Sequence, residues 1–294
     1  MQRVVVCGQN TSVGVVCAHL IARELAMRVA VAPASQMSLD ALQALATLHG
    51  VVLQKSTPKV LGAADILIFT DYSPAADEHG RSVTVAGMRQ VLNTAMAAGF
   101  GGIVVVATRD SAVGTFFAQR ISGLPKASVI GVGTLAVTRV FTRFLATQLQ
   151  VPEAAVTAYA VGTQQAYALL WSRAYVGATP VLSLLKDRDP AALMGAAIAA
   201  CERFAQAADD TVMATAVGRI LTALAGEAML TPVTTLVTRG TAALALAQPM
   251  LVDARGATLL APIVGADAEE QQLDAIAAGV QAKLMSIIEQ EENA

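Results

Sequence analysis

Near the N-terminus, Gly8-Gln9-Asn10-Thr11-Ser12-Val13-Gly14 lies between a β-branched run, Arg3–Cys7, and an apolar helical stretch, Val15–Leu25. Strand, glycine-bearing turn and helix in that order form a cradle for a diphosphate. The first glycine permits the tight turn, a middle glycine lets phosphate reach the backbone, and the helix start offers N–H groups and a positive dipole end. Here the spacing is Gly-x-x-Thr-x-x-Gly, so Thr11 stands where a middle glycine would help. Its Cβ crowds the phosphate position, while its hydroxyl could donate to it. The second strand ends Val31-Ala32-Pro33-Ala34, without the carboxylate that would hold ribose hydroxyls. The candidate cofactor contacts are Gly8, Asn10, Thr11, Gly14 and Thr70. Two readings stay open, a dinucleotide turn and a retained turn that binds none.

A second group of residues could grip an anion. Arg109 follows an apolar run at a strand end, where its guanidinium could take a carboxylate or pair with Asp110 or Asp71. His79 and Arg81 share a polar loop, and a solvated loop histidine accounts for His79 equally well. Asp209 and Asp210 could oppose Arg109, or simply be solvated on a helix face. Tyr72 and Tyr167 could line the cleft or serve packing.

The elements that must position these residues follow from periodicity. Arg28–Val31, Val51–Gln54, Ile66–Thr70 and Gly102–Thr108 read as further strands, the last two almost wholly apolar and so buried on both faces. Leu39–Leu48 and Thr84–Ala98 read as helices between them. Such a succession predicts parallel strands with right-handed crossovers, an α/β doubly wound sheet. Beyond Gly133 the texture changes. Leu135–Leu149 and Pro190–Leu224 read as helical. Thr157–Val161, Val181–Leu185, Val233–Thr238, Met250–Asp253 and Thr258–Pro262 read as strands. A terminal helix carries the stripe Leu273, Ile276, Val280, Leu284 and Ile287, with Asp267 and Glu270 as a capping box.

Composition narrows the class. The 294 residues are 55% hydrophobic and 14% charged, with a formal net charge of −2, which supplies no basic field for nucleic acid. No apolar stretch is long enough to span a bilayer. Met1-Gln2-Arg3 runs straight into Val4–Val6, which leaves no room for a signal peptide, and Cys7, Cys17 and Cys201 are too scattered for a disulfide framework or a metal site. A cytoplasmic protein with reduced, buried thiols is expected.

Several segments together resemble one family. Gly99–Thr108 is similar to the strand preceding a characteristic asparagine. Ser122-Gly123-Leu124-Pro125-Lys126 followed by Val129-Ile130-Gly131-Val132-Gly133-Thr134 matches "SGLPKxRVIGxGT", and Trp171–Pro180 matches "WSxAxxGxxP". Leu48-His49-Gly50 and Ala64-Asp65 add weaker echoes, and all run in order along the chain. These segments resemble the L-lactate/malate dehydrogenase family, with the tryptophan favouring its lactate or 2-hydroxyisocaproate dehydrogenase branch. The resemblance implies a Rossmann-like first domain, residues 1–144, and a mixed α+β substrate domain, residues 145–294. It also implies a homodimer or homotetramer, and NAD-dependent hydride transfer between 2-hydroxy and 2-oxo acids.

The residues that would perform that reaction depart from the pattern. The family's histidine lies in "GEHG", where this chain reads Gly162-Thr163-Gln164-Gln165. Counting forward places Gln164 there; counting back from Trp171 places Thr163. The aspartate and arginine of "LDTxR" become Val137 and Val140, with Arg139 about 100° away around the helix. Arg109 replaces the asparagine. Histidine would supply the proton, aspartate would orient it and arginine would clamp the substrate carboxylate, so weak or absent activity is expected. The alternatives are a non-enzymatic binding or regulatory pseudoenzyme, and an oxidoreductase of altered specificity that uses Arg109.

Overall fold

A computed structural model of the chain describes residues 2–8, 11–32, 39–72, 82–185 and 189–292. Its first half alternates strand and helix: β1 (Arg3–Cys7), α1 (Thr11–Ala22), β2 (Arg28–Ala32), α2 (Asp40–Leu48), β3 (Val52–Lys55), α3 (Pro58–Gly62), β4 (Ile66–Thr70), α4 (Val83–Ala97), β5 (Ile103–Ala107), α5 (Ser111–Ser122) and β6 (Val129–Gly131). These strands pair in parallel in the order β3-β2-β1-β4-β5-β6. The order reverses between β1 and β4, where a doubly wound sheet opens a crevice at its carboxyl edge.

The alternation of side chains across each strand explains the two covering layers. Val4, Val6, Ile66 and Ile68 pack with Val16, Leu20, Ile220 and Leu221 on one face. Val5, Cys7, Leu67 and Phe69 pack with Leu61, Met88 and Leu92 on the other. Because both faces are covered, β4 is buried along its whole length.

The second half comprises α6 (Leu135–Leu149), β7 (Val156–Thr157), β8 (Ala160–Gly162), β9 (Tyr167–Leu169), β10 (Tyr175–Val176), β11 (Thr179–Pro180), α7 (Pro190–Ala207), α8 (Asp210–Leu224), β12 (Met229–Arg239), β13 (Ala242–Asp253), β14 (Gly256–Thr258) and α9 (Asp267–Glu292). The long hairpin β12–β13 continues the parallel sheet antiparallel, through Thr234 opposite Gly131, and β8 and β9 follow it. A small sheet joins β7, β10 and β11. Phe141 of α6 meets Trp171 edge to face, ring centroids 5.0 Å apart, in a core shared with α7. A buried aromatic pair of this geometry adds about 0.5–1.5 kcal/mol beyond the area it covers.

The structure corrects several expectations from periodicity. Val181–Leu185 is not a strand. Val181–Leu184 forms a 3₁₀ turn started by Pro180, and the Val181 N–H donates to the Ala174 carbonyl. Thr157–Val161 divides between β7 and β8, and pairing after Arg255 ends at Thr258 instead of Pro262. Pro190–Leu224 is two helices, because the Asp209 carboxylate accepts from the Thr211 and Val212 N–H groups and so starts α8 afresh. The capping box shifts by one residue. Glu269, not Glu270, reaches back to the Ala266 N–H at 2.8 Å, while Glu270 accepts from Gly265 and from Arg239.

Candidate functional site

At the carboxyl edge of β4 and β5, a cavity of about 510 Å³ opens between α1, α6 and α8. Its walls include Ser12, Asp71, Arg109, Val137, Gln164 and Asp210. Each comes from an element that ends there. Asp71 follows β4, Arg109 follows β5, and Gln164 occupies the turn between β8 and β9.

Gln164 and Gln165 fasten this turn to the loop after β5. The Ser111 N–H donates to Gln164 Oε1 at 3.1 Å, and the Gln165 amide donates to the Arg109 carbonyl. The Arg109 N–H in turn donates to Asp71 Oδ2 at 2.9 Å. Thr163 has no part in the cavity wall. It is buried, and its hydroxyl exchanges hydrogen bonds with the Ala166 backbone inside the turn. Thus the Gln164 carbonyl oxygen holds a backbone N–H, and neither residue of this turn can supply a titrating proton.

Of the two valines on α6, Val137 lines the cavity, whereas Val140 lines a neighbouring groove of about 370 Å³ with Arg139, Arg143 and Arg219. Arg139 pairs with Glu153 on that side. The rotation anticipated from the helix repeat therefore carries its charge away from the cleft.

Of the pairings open to Arg109, the one with Asp110 does not form. Asp110 caps α5 by accepting from the Val113 N–H at 3.2 Å and pairs with Lys283 of α9. Burial pushes the Asp71 carboxyl above its ordinary range. The Arg109 N–H and guanidinium oppose that shift, and nearby Asp210 and Asp110 reinforce it.

At the start of α1, one oxygen of Asp210 accepts from two hydroxyls, from Ser12 at 2.9 Å and from Thr11 at 3.4 Å. Asp209 lines the same cavity beside it. Gly8 is buried under Thr70, and an added Cβ would lie 2.1 Å from Thr70 Oγ1. Thr70 itself is fully buried and donates to the Cys7 carbonyl. Gly14 is within the first turns of α1. Asn10, His79 and Arg81 lie outside the described residues. Tyr72 is buried against Gly87, and Tyr167 sits in β9, so neither forms the cavity wall.

Sequence reasoning missed the tethering role of Gln165 and the contact of Asp210 with α1, because both join segments far apart in the chain. It also left α5 unassigned, although Asp110 before Ser111 and left-handed Gly123 after Ser122 mark its two ends.

The L-lactate dehydrogenase of Geobacillus stearothermophilus is 34% identical over 105 residues, 35% of this chain and 33% of that protein. That of Staphylococcus saprophyticus is 38% identical over 103 residues, covering 35% and 32%. The chain thus aligns with about a third of the length of these curated relatives. The minor L-lactate dehydrogenase from Enterococcus mundtii, in its ligand-unbound form, superposes with a TM-score of 0.82 over 97% of each chain at 20% identity. Over about a third of its length the chain is similar in sequence to L-lactate dehydrogenases. Its fold is the lactate dehydrogenase fold over nearly the full length, as a second enzyme, from a Medee basin deep-sea metagenome library, also shows. That superposition has a TM-score of 0.80, at 19% identity, over 98% of this chain and 99% of the other. No family model matches the chain. Among the described residues no helix is long and apolar enough to cross a membrane, and no cluster of metal-binding side chains is found.

Proposed function

We propose that this chain is a divergent lactate dehydrogenase relative that has given up ordinary hydride transfer to 2-oxo acids and uses its cleft to bind a small anion at Arg109. One observation carries this reading. Val137 and Gln164, at the positions of the family's aspartate and histidine, do meet in one cavity, yet one is aliphatic and the other holds the Ser111 N–H. Without an imidazole at that position the ordinary route for protonating the carbonyl is lost, a contribution of roughly 10²–10⁴ in rate. Among the described residues of the cavity wall Arg109 is the cation, and it suits a carboxylate.

A second reading, an oxidoreductase of altered specificity, has one observation in its favour. Asp71, whose carboxyl burial pushes above its ordinary range, lines the same cavity as Arg109 and so puts a titratable group in the wall that holds the anion grip.

The test follows absorbance of NADH with pyruvate, oxaloacetate and 2-oxoisocaproate, alongside thermal shifts with pyruvate and oxalate. The proposal expects no turnover above background, and a stabilisation by the anions that Arg109→Ala removes. Sustained reduction of any of the three acids would overturn it; turnover lost in Arg109→Ala would establish the second reading. The resemblance further suggests a division into residues 1–144 and 145–294, a homodimer or homotetramer, and a cytoplasmic location in keeping with three free, buried thiols. Limited proteolysis, light scattering and fractionation check these in turn.

A further inference from the structure

The dinucleotide implied by the resemblance would place its diphosphate at the N-terminus of α1, against backbone N–H groups and the positive end of the helix. That end already has an anion supplied by the chain itself. Asp210 Oδ2 accepts from the Ser12 hydroxyl at 2.9 Å and the Thr11 hydroxyl at 3.4 Å. Ser12 is buried and Asp210 half-buried, while Thr11 is exposed, so the contact is partly sheltered from water.

The carboxylate is held there by packing as well as by hydrogen bonds. Helix α8 lies directly on α1, with Val217 and Leu221 in one core with Val16 and Leu20. At Gly218 the approach is so close that an added Cβ would lie 2.6 Å from His19 Nε2. Asp209 caps α8 independently, which fixes Asp210 in the first helical turn, pointing at α1. A diphosphate brought to the same hydroxyls would meet this carboxylate at contact distance, and like charges repel more strongly in a partly buried cleft than in water. Asp71 puts a second carboxyl group in the wall of the cavity. At the other end of the expected cofactor, β2 closes on Ala32, with no carboxylate for ribose hydroxyls. The residues present therefore do not fit a dinucleotide.

We propose that Asp210 is a built-in occupant of the anion end of α1 and that it excludes dinucleotides from the cleft. The inference is independent of the missing proton donor, since it concerns binding and not chemistry.

The experiment titrates the full chain with NADH by calorimetry and NADH fluorescence, in wild type, Asp210→Asn and Asp210→Ser, with circular dichroism to establish folding. Thermal shifts with inorganic pyrophosphate provide a readout free of the nicotinamide. The inference expects no saturation of the wild type at millimolar NADH, and at least a ~10-fold gain in affinity in one folded variant, matched by a pyrophosphate shift absent from wild type. Micromolar NADH binding by wild type would overturn it, as would two folded variants binding no better. NADH binding without turnover would overturn this inference alone and leave the hydride-transfer proposal standing.

Discussion

The Thr138 hydroxyl accepts from the Ala160 N–H at 2.9 Å and donates back to the Ala160 carbonyl at 3.4 Å. Thr134 donates to the same carbonyl. These bonds, all buried, fix α6, which carries Val137, to β8, which leads into Gln164. The cavity has its shape because one helix and one short strand are joined at this point. Thr138→Val keeps the volume but leaves the Ala160 N–H without a partner, a loss of about 1–3 kcal/mol. A fall in melting temperature of roughly 2–5 °C is expected in thermal denaturation. An unchanged melting point would show that the junction does not depend on this pair.

Gln164→His tests whether the histidine position alone is limiting. With Val137 where the resemblance sets the family's aspartate, the new imidazole lacks that carboxylate to orient it or to stabilise its charge. Pyruvate reduction should stay at background in a coupled absorbance assay. The variant also removes the acceptor for the Ser111 N–H, so a destabilisation of about 1 kcal/mol should accompany it. Measurable turnover would mean that the rest of the site is competent.

Asp71 makes stability depend on pH. Burial raises its folded pKa above the ordinary value of 3.8, so the native state binds the proton more tightly than the unfolded chain. Ionisation therefore costs stability as pH rises from about 3.8 through the native pKa, and the cost persists at neutral pH. Asp71→Asn can still accept from the Arg109 N–H and escapes that cost. It should be more stable than wild type at pH 7, with the difference vanishing below the unfolded pKa. Urea melts at pH 3.5 and pH 7 measure it; a wild type that is the more stable at pH 7 would reverse the sign.

Gly8 owes its identity to space. An added Cβ would lie 2.1 Å from Thr70 Oγ1 and 2.9 Å from Val13 Cγ2. Gly8→Ala forces apart β1, β4 and α1 and should cost about 2–3 kcal/mol. Denaturant titration should show the midpoint moving at unchanged slope; an unaltered midpoint would mean that the strand ends shift freely.

Most of the doubly wound half was legible because β1 to β5 and α1, α2 and α4 declare themselves locally, whereas α3, α5 and β6 went unread. The runs Val4–Val6 and Ile66–Thr70 read as buried strands on their own, and pairing in parallel then follows from the helices between them. Short elements of the second half were not. Val181–Leu185 has strand-forming residues, yet Pro180 and the Ala174 carbonyl wind it into a turn. The break between α7 and α8 depends on one cap at Asp209, which an alanine-rich helical pattern conceals.

By itself the sequence determined the crevice-forming sheet, and through the resemblance it offered Gln164 or Thr163, Val137 and Val140 for the positions where the family carries its histidine, aspartate and arginine. Both are local facts, set by periodicity and by motif order. Only the tertiary structure decided what those residues touch. It turned Val140 and Arg139 into a separate groove, tied Gln164 and Gln165 to the loop after β5, and set Asp210 against the start of α1. Those contacts link residues as far as 199 positions apart. Their geometry comes from packing α8 and β8 against the sheet, which no local pattern encodes.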